Sequence, residues 1–165
     1  MGAYPFDLDT SKLFIRSVSS RLELDAFLAR LDAINSCAGC TVQVFHPGSI
    51  VSRLHVEGAY VNAVAAFRTK TNISKKIHVE MLLFAAMTRQ ISKAVGAVGV
   101  RSTGSMVLFA NGGAAYSKAK VLLARDSDLI ISRSESIAKS RRLGIGAGQD
   151  ADALLLQRMV VSRLD

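Results

Sequence analysis

Residues 75–87 read Lys-Lys-Ile-His-Val-Glu-Met-Leu-Leu-Phe-Ala-Ala-Met, and how this stretch folds decides how the rest of the chain packs. Ile77, Val79, Met81, Leu82, Leu83, Phe84, Ala85, Ala86 and Met87 leave almost no polar face, and a helix that is apolar all round belongs inside a core. The uninterrupted apolar run, Met81 to Met87, is only seven residues long, far too short to cross a bilayer. His78 is expected to be a partly buried, satisfied histidine, and Glu80 to pair with Lys76 four residues earlier. Immediately downstream, Ile91, Ala94, Val95 and Val98 recur at helical spacing, with Gly99 placed to end that helix. Arg89 and Lys93, four apart, face solvent together on this reading.

Working outward, Thr71-Asn72-Ile73-Ser74 is a break, with Asn72 or Ser74 the natural cap of the central helix. Before it the pattern gives a strand over 13–18, an amphipathic helix over 22–34, a strand over 41–45 ended by His46-Pro47-Gly48-Ser49, and an alanine-rich helix over 55–68. After it come a central strand over 105–110 and an Asn111-Gly112-Gly113 turn expected to need positive φ. A helix over 115–124, a short strand over 129–131, a helix capped by Ser134 or Ser136 that ends at Leu143, a loop over 144–148 and a last helix over 150–163 complete the chain. Repeats and long linkers are lacking in these 165 residues, and only Pro5 and Pro47 interrupt as prolines. The expectation is an α/β fold: one compact domain over residues 1–165 with a small mixed β-sheet packed by several α-helices.

The formal net charge of +8 is unevenly spread. Between Gly58 and Arg125 lie ten basic residues (Arg68, Lys70, Lys75, Lys76, Arg89, Lys93, Arg101, Lys118, Lys120 and Arg125) and one acid, Glu80. The remainder carries eleven basic against twelve acidic residues. Such asymmetry suits a phosphate backbone or an acidic partner. The start, Met-Gly-Ala-Tyr-Pro-Phe, lacks the basic-then-apolar order of a secretory signal, and Phe6 stands where a myristoylation start has Ser or Thr. A cytosolic protein is expected.

Groups that could do chemistry do not converge. His46, His55 and His78 have no metal-ligand spacing, and neither a phosphate-cradling GxxxxGK[ST] nor a GxSxG elbow is present. Cys37 and Cys40 form a Cys-Ala-Gly-Cys pair that follows a helix and precedes a strand, the reverse of a thioredoxin-like arrangement, with no second pair to complete a zinc site. Gly144-Ile-Gly-Ala-Gly148 follows a helix rather than a strand and reads as a connection. No catalytic residue, metal or cofactor is expected. The basic stretch remains, where helix N-termini favour phosphate. Lys75, Lys76, Arg89 and Lys93 offer charge there, and Asn72, Ser74 and Gln90 offer hydrogen bonds to ribose or base edges. Few aromatics (Tyr60, Phe67 and Phe84) lie nearby, which favours recognition of an end or a shape over a long single strand.

The continuous segment from Asn72-Ile-Ser-Lys-Lys through Glu80 and the leucine-rich run to Arg89-Gln90-Ile91-Ser-Lys-Ala94 resembles the signature of the small kinase-binding, tRNA-binding subunit of the KEOPS complex, the PRPK-binding protein family. The last helix, Leu154-Leu-Leu-Gln-Arg-Met-Val-Val-Ser-Arg-Leu-Asp165, is similar to that family's final apolar helix. The resemblance implies a non-catalytic subunit that binds the atypical kinase/ATPase subunit. It also implies recruitment of tRNA, notably by its 3′ acceptor end, for threonylcarbamoyladenosine modification beside the anticodon. By matching position it implies tRNA contacts at Asn72, Lys75, Arg89, Gln90 and Lys93, structural roles for Leu82, Leu83 and Ile91, and a kinase-facing surface including Leu155 and Met159. Gly96 within the motif helix, and Met87 where a small residue is common, depart from the family pattern. Two other readings compete: a protein-binding scaffold whose basic face meets an acidic partner without tRNA, and an RNA-modifying or hydrolytic enzyme using Glu80 or His78.

Overall fold

The computed structural model describes residues 8–146 and 150–163. In chain order the elements are β1 (Phe14–Ser19), α1 (Leu24–Asn35), β2 (Val42–Phe45), α2 (Arg53–Thr69), α3 (Ile77–Ala85), α4 (Ile91–Val98), β3 (Met106–Ala110), α5 (Gly113–Lys120), β4 (Arg125–Asp128), α6 (Arg133–Arg142) and α7 (Ala151–Val161), with single 3-10 turns at Thr10–Lys12 and Pro47–Ser49. Readings that touch residues 1–7, 147–149 and 164–165 lie outside the described residues: the start of the chain with Phe6, the far end of the glycine loop, and Leu164.

The strands form one sheet in the order β2-β3-β1-β4. β3 alternates between two helical layers, as successive strand residues must. Val107 and Phe109 join Ile15 and Phe45 against α2, α3, α4 and Met159 of α7. Met106, Leu108 and Ala110 join Val18, Val42 and Val44 against Phe27, Leu31 and Ile34 of α1 and Ala115 and Ala119 of α5. With both faces covered, every β3 residue is buried. The α/β class stands, but the sheet is antiparallel in all three pairings, not mixed. Hydrophobic pattern fixes which face a strand buries and carries no information on its direction.

Three local features depart from the expectations for a shared reason: polar side chains, not apolar ones, define the structure there. β4 is Arg-Asp-Ser-Asp, where a strand was expected at 129–131. Its pairing is supported by Arg16 of β1, which reaches Asp126 at 2.7 Å and also binds Asp128. Because the chain turns into this strand, with Ala124 N–H donating to Ser19 C=O at 2.8 Å, α5 stops at Lys120 instead of Ala124. The cap of α6 is Ser132, in a reciprocal capping box with Glu135, not Ser134 or Ser136. Gly112 is extended at φ 170, so the turn at Asn111 needs no positive φ. Asn111 explains it: its Oδ1 accepts from Thr41 N–H at 2.9 Å and its Nδ2 donates to Gly39 C=O at 2.9 Å. The Cys37-Ala-Gly-Cys40 segment is thereby pinned as a turn, with Gly39 at φ +75 and both thiols free.

The apolar stretch does become an inner helix. Of the nine residues of α3, six are buried, Glu80 among them. Two non-glycine residues with positive φ frame it, Lys70 closing α2 and Met87 just beyond α3. Each sits where a left-handed residue lets the next N–H reach back into the helix. Thr71 donates to Ala66 C=O at 2.9 Å, and Thr88 to Leu83 C=O at 3.1 Å. α7 docks on α2 at Gly58, where an added Cβ would lie 2.3 Å from a Leu156 methyl and would push the tip of that side chain aside. His55, near the start of α2, is buried and ties α2 to the end of α3: Nδ1 accepts from Val51 N–H at 3.2 Å, so Nε2–H donates to Ala85 C=O at 3.0 Å.

Candidate nucleic-acid interface

The ten cations between Gly58 and Arg125 are all exposed. The single acid among them, Glu80, is 0% exposed. This part of the chain therefore turns outward only positive charge, which gathers phosphate and screens with salt.

Glu80 is not paired with Lys76, contrary to the i,i+4 expectation. Its carboxylate accepts Ser74 N–H at 2.7 Å and Ile73 N–H at 3.1 Å, and Arg163 Nη2 donates to it at 2.7 Å. Lys76 instead bonds Asp32 of α1 at 2.7 Å. Lys76 is the N-cap residue of α3, and although Glu80 N–H donates to its carbonyl at 3.0 Å, its ammonium is taken by Asp32. Neither Asn72 nor Ser74 caps α3 directly. Asn72 Nδ2 donates to Ser74 C=O at 2.9 Å and Ser74 Oγ accepts from Lys76 N–H at 3.2 Å, so both brace the loop that enters the helix.

Arg163 is the residue that the sequence reading missed. Its guanidinium lies 4.1 Å over the Phe84 ring, and its backbone carbonyl accepts from Arg89 Nη1 at 3.4 Å. The loop at 73–74 and the α3–α4 turn at Arg89 thus converge on one junction. Burial pushes the Arg163 guanidinium below its ordinary pKa, Glu80 opposes this, and the neighbouring Arg89 cation adds to it. The available signal was the lone acid inside an apolar helix, since a buried carboxylate demands a partner. Nothing in the local spacing pointed 83 residues ahead.

The five residues expected to touch tRNA are only partly brought together. Arg89 and Gln90 lie side by side and exposed at the entrance to α4, and Lys93 is exposed in its first turn. Asn72 is half-buried and engaged within its loop. Lys75 is exposed but lines a polar cavity of about 380 Å³ with Lys76, Asp32, Ser36, Cys40, Thr41 and His78. His78 stands 3.7 Å from the Asp32 carboxylate. Burial pushes its pKa down, Lys76 pushes it further, and Asp32 opposes them. The hydrogen bond from Lys76 holds the Asp32 carboxyl below its ordinary value.

Of the expected structural residues, Leu82 and Leu83 are buried, whereas Ile91 is 45% exposed. Ile91 is the first residue of α4 and turns away from the face that Ala94 and Val98 bury. Leu155 and Met159, expected on a kinase-facing surface, are both 0% exposed, so neither forms an outer face of the chain. The face of α7 that packs inward takes Leu155 against Val51 and Ile145, and Met159 into the main core. The solvent-exposed apolar residues of α7 are Val160 and Val161. No group of three or more His, Cys, Asp or Glu side chains able to hold a metal occurs among the described residues. Nor is any of their helices long and apolar enough to cross a membrane.

The family model described as "Kinase binding protein CGI-121" matches residues 17–143, well over half of the chain. No curated protein matches it.

Proposed function

Because the chain belongs to the CGI-121 family of kinase-binding proteins, we propose that it is a non-catalytic subunit of a KEOPS-like complex, binding its atypical kinase/ATPase subunit and recruiting tRNA by the 3′ acceptor end for threonylcarbamoyladenosine modification. The observation that carries the RNA half is the separation of charge: ten exposed cations over residues 58–125, and their only acid buried and neutralised inside. Arg89, Gln90 and Lys93 form the leading edge of this surface at the start of α4, where backbone N–H groups and the helix dipole add to the side-chain charge. Lys75, at the rim of the polar cavity, supplies a further cation to the same strand of RNA. The described aromatic side chains near this surface are largely inside: Phe84 and Tyr60 are buried. That arrangement favours a phosphate-led grip on an RNA end over stacking along a strand.

On this reading the kinase partner uses the exposed apolar residues of α7, Val160 and Val161, rather than Leu155 and Met159, which hold the helix in place. On the same reading the chain acts in the cytoplasm.

The deciding experiment is an equilibrium titration of the purified chain with intact tRNA and with tRNA lacking its 3′-terminal nucleotides, at two salt concentrations. Tighter, salt-weakened binding to the intact form is the expected result. Equal affinity for both forms removes the acceptor end from the proposal. No binding to either assigns the basic face to an acidic protein partner.

A further inference from the structure

We propose that Arg163, just beyond the end of α7, is a positioning residue for the RNA-facing loop, acting through Glu80. This rests on the RNA reading above and names a residue that the basic surface itself does not contain. The loop 71–76 has no helix or strand of its own, and what fixes it is internal. Glu80 receives the consecutive N–H groups of Ile73 and Ser74, a pair of donors that no other described group satisfies. Among the described residues, the cation that meets this carboxylate, 0% exposed, is the Arg163 guanidinium at 2.7 Å.

Arg163 does a second thing with its backbone. Its carbonyl accepts from Arg89, in the turn before α4, at 3.4 Å. One residue thus touches both parts: Glu80 carries its influence to Ile73 and Ser74, and its carbonyl restrains Arg89. The restraint also runs to α7, whose seating on Gly58 of α2 determines where residue 163 arrives.

The guanidinium is poorly suited to touch phosphate itself. Its Nε and Nη1 atoms are buried and have no hydrogen-bond partner among the described residues. One face lies on the Phe84 ring. Reaching an RNA oxygen would require leaving Glu80, which would release the loop. Positioning and direct contact are therefore alternatives that salt dependence separates. A residue that contacts phosphate contributes about one counterion to the slope of log K against log salt, and a residue that only sets geometry contributes none.

The test uses the full chain and intact tRNA, comparing the unaltered protein with Arg163→Gln, Arg163→Lys and Arg89→Gln across a salt series. Amide hydrogen exchange at Ile73 and Ser74 is measured in parallel. Arg163→Gln is expected to bind about tenfold more weakly at every salt concentration, the range typical of coupling between linked elements. Its slope stays unchanged while both amides exchange faster. Arg163→Lys, which keeps the charge, restores part of the affinity and part of the protection. Arg89→Gln lowers the slope by about one, as a contact residue should. If Arg163→Gln does not fold, Arg163→Lys decides the same comparison, with smaller losses. Unchanged affinity with freed amides would overturn the proposal, because the loop's position would then not matter. A slope reduced by about one would also overturn it, making Arg163 a contact. Absence of tRNA binding by the unaltered chain defeats the RNA reading first, whereas the other two results defeat this inference alone.

Discussion

Two carboxylates meet cations at the same distance in this molecule and do different work. Glu80 and Arg163 are 2.7 Å apart with side chains 0% and 14% exposed, and Asp32 and Lys76 are 2.7 Å apart at 52% and 56%. Separation alone would rank them equal. In water-exposed surroundings the Coulomb gain is screened and offset by the entropy of two long side chains. In the interior each ion has lost its hydration, so either partner left alone is costly. The first pair is therefore a fixed point of the fold, holding the loop that enters α3, and the second is an adjustable contact on the cavity rim. The difference also shapes the outer field: burying Glu80 removes the only negative charge of residues 58–125 from the surface.

The largest expected effect tests the buried side of this contrast. Glu80→Gln leaves the Arg163 guanidinium inside without its counter-ion and should cost about 3–5 kcal/mol, read from urea unfolding. A loss below about 1 kcal/mol would show that the junction is wetter or looser than its burial indicates.

Legibility in the sequence followed the same division. Elements defined by apolar period were readable: α1 through Phe27, Leu31 and Ile34, β3 through its continuous run, α3 as an inner helix. Elements defined by polar pairing were not. β4 is a strand because Arg16 binds Asp126 and Asp128 across more than a hundred residues of chain, and no local pattern announces that. In the candidate interface Arg89, Gln90 and Lys93 were legible as exposed groups at a helix start. Asn72 was legible only as part of the loop, and its side chain is spent on Ser74. For Glu80, helical spacing offers Lys76 as the partner while the fold offers Arg163. Leu155 and Met159 show the converse error, in which apolar residues on a terminal helix looked available to a partner and are core.

Acid separates the two regions further. His55 lies in the buried layer, and burial pushes its pKa below the ordinary 6.5, outweighing the hydrogen bond to Ala85 and the nearby Asp152 carboxylate. An unfolded chain then binds a proton that the folded chain refuses. Stability is thus fully present above about 6.5 and is lost as pH falls toward the depressed folded value. His78 has the same sign, burial again leading. Asp32, lowered by its bond from Lys76, contributes in full above its ordinary 3.8, and that contribution is lost as pH falls through the lower folded value. Thermal melts against pH should therefore show a first loss in the histidine range and a separate one in the carboxylate range. His55→Gln should flatten the first and leave the second. A first step unchanged by that substitution would move its origin to His78.

A smaller effect belongs to the exposed cations themselves. Arg89→Gln or Lys93→Gln should leave the unfolding midpoint nearly unchanged and lower the salt slope of tRNA binding by about one each. A variant with unaltered slope identifies a cation outside the RNA footprint.

The smallest expected effect completes the contrast at Asp32. Asp32→Asn removes the charge but keeps the shape, and an amide can still accept from Lys76. Because both side chains are more than half exposed, the change in stability should stay within about 1 kcal/mol. The substitution has a second consequence that Glu80→Gln cannot share. It frees Lys76, next to Lys75 on the cavity rim, from the acid that now offsets it. Binding of tRNA should then become modestly tighter and steeper in salt, while the fold is unaffected. If Asp32→Asn were instead as destabilising as Glu80→Gln, exposure would not be what distinguishes these pairs. The rim of the cavity would then be a structural joint of the same rank as the Glu80–Arg163 junction.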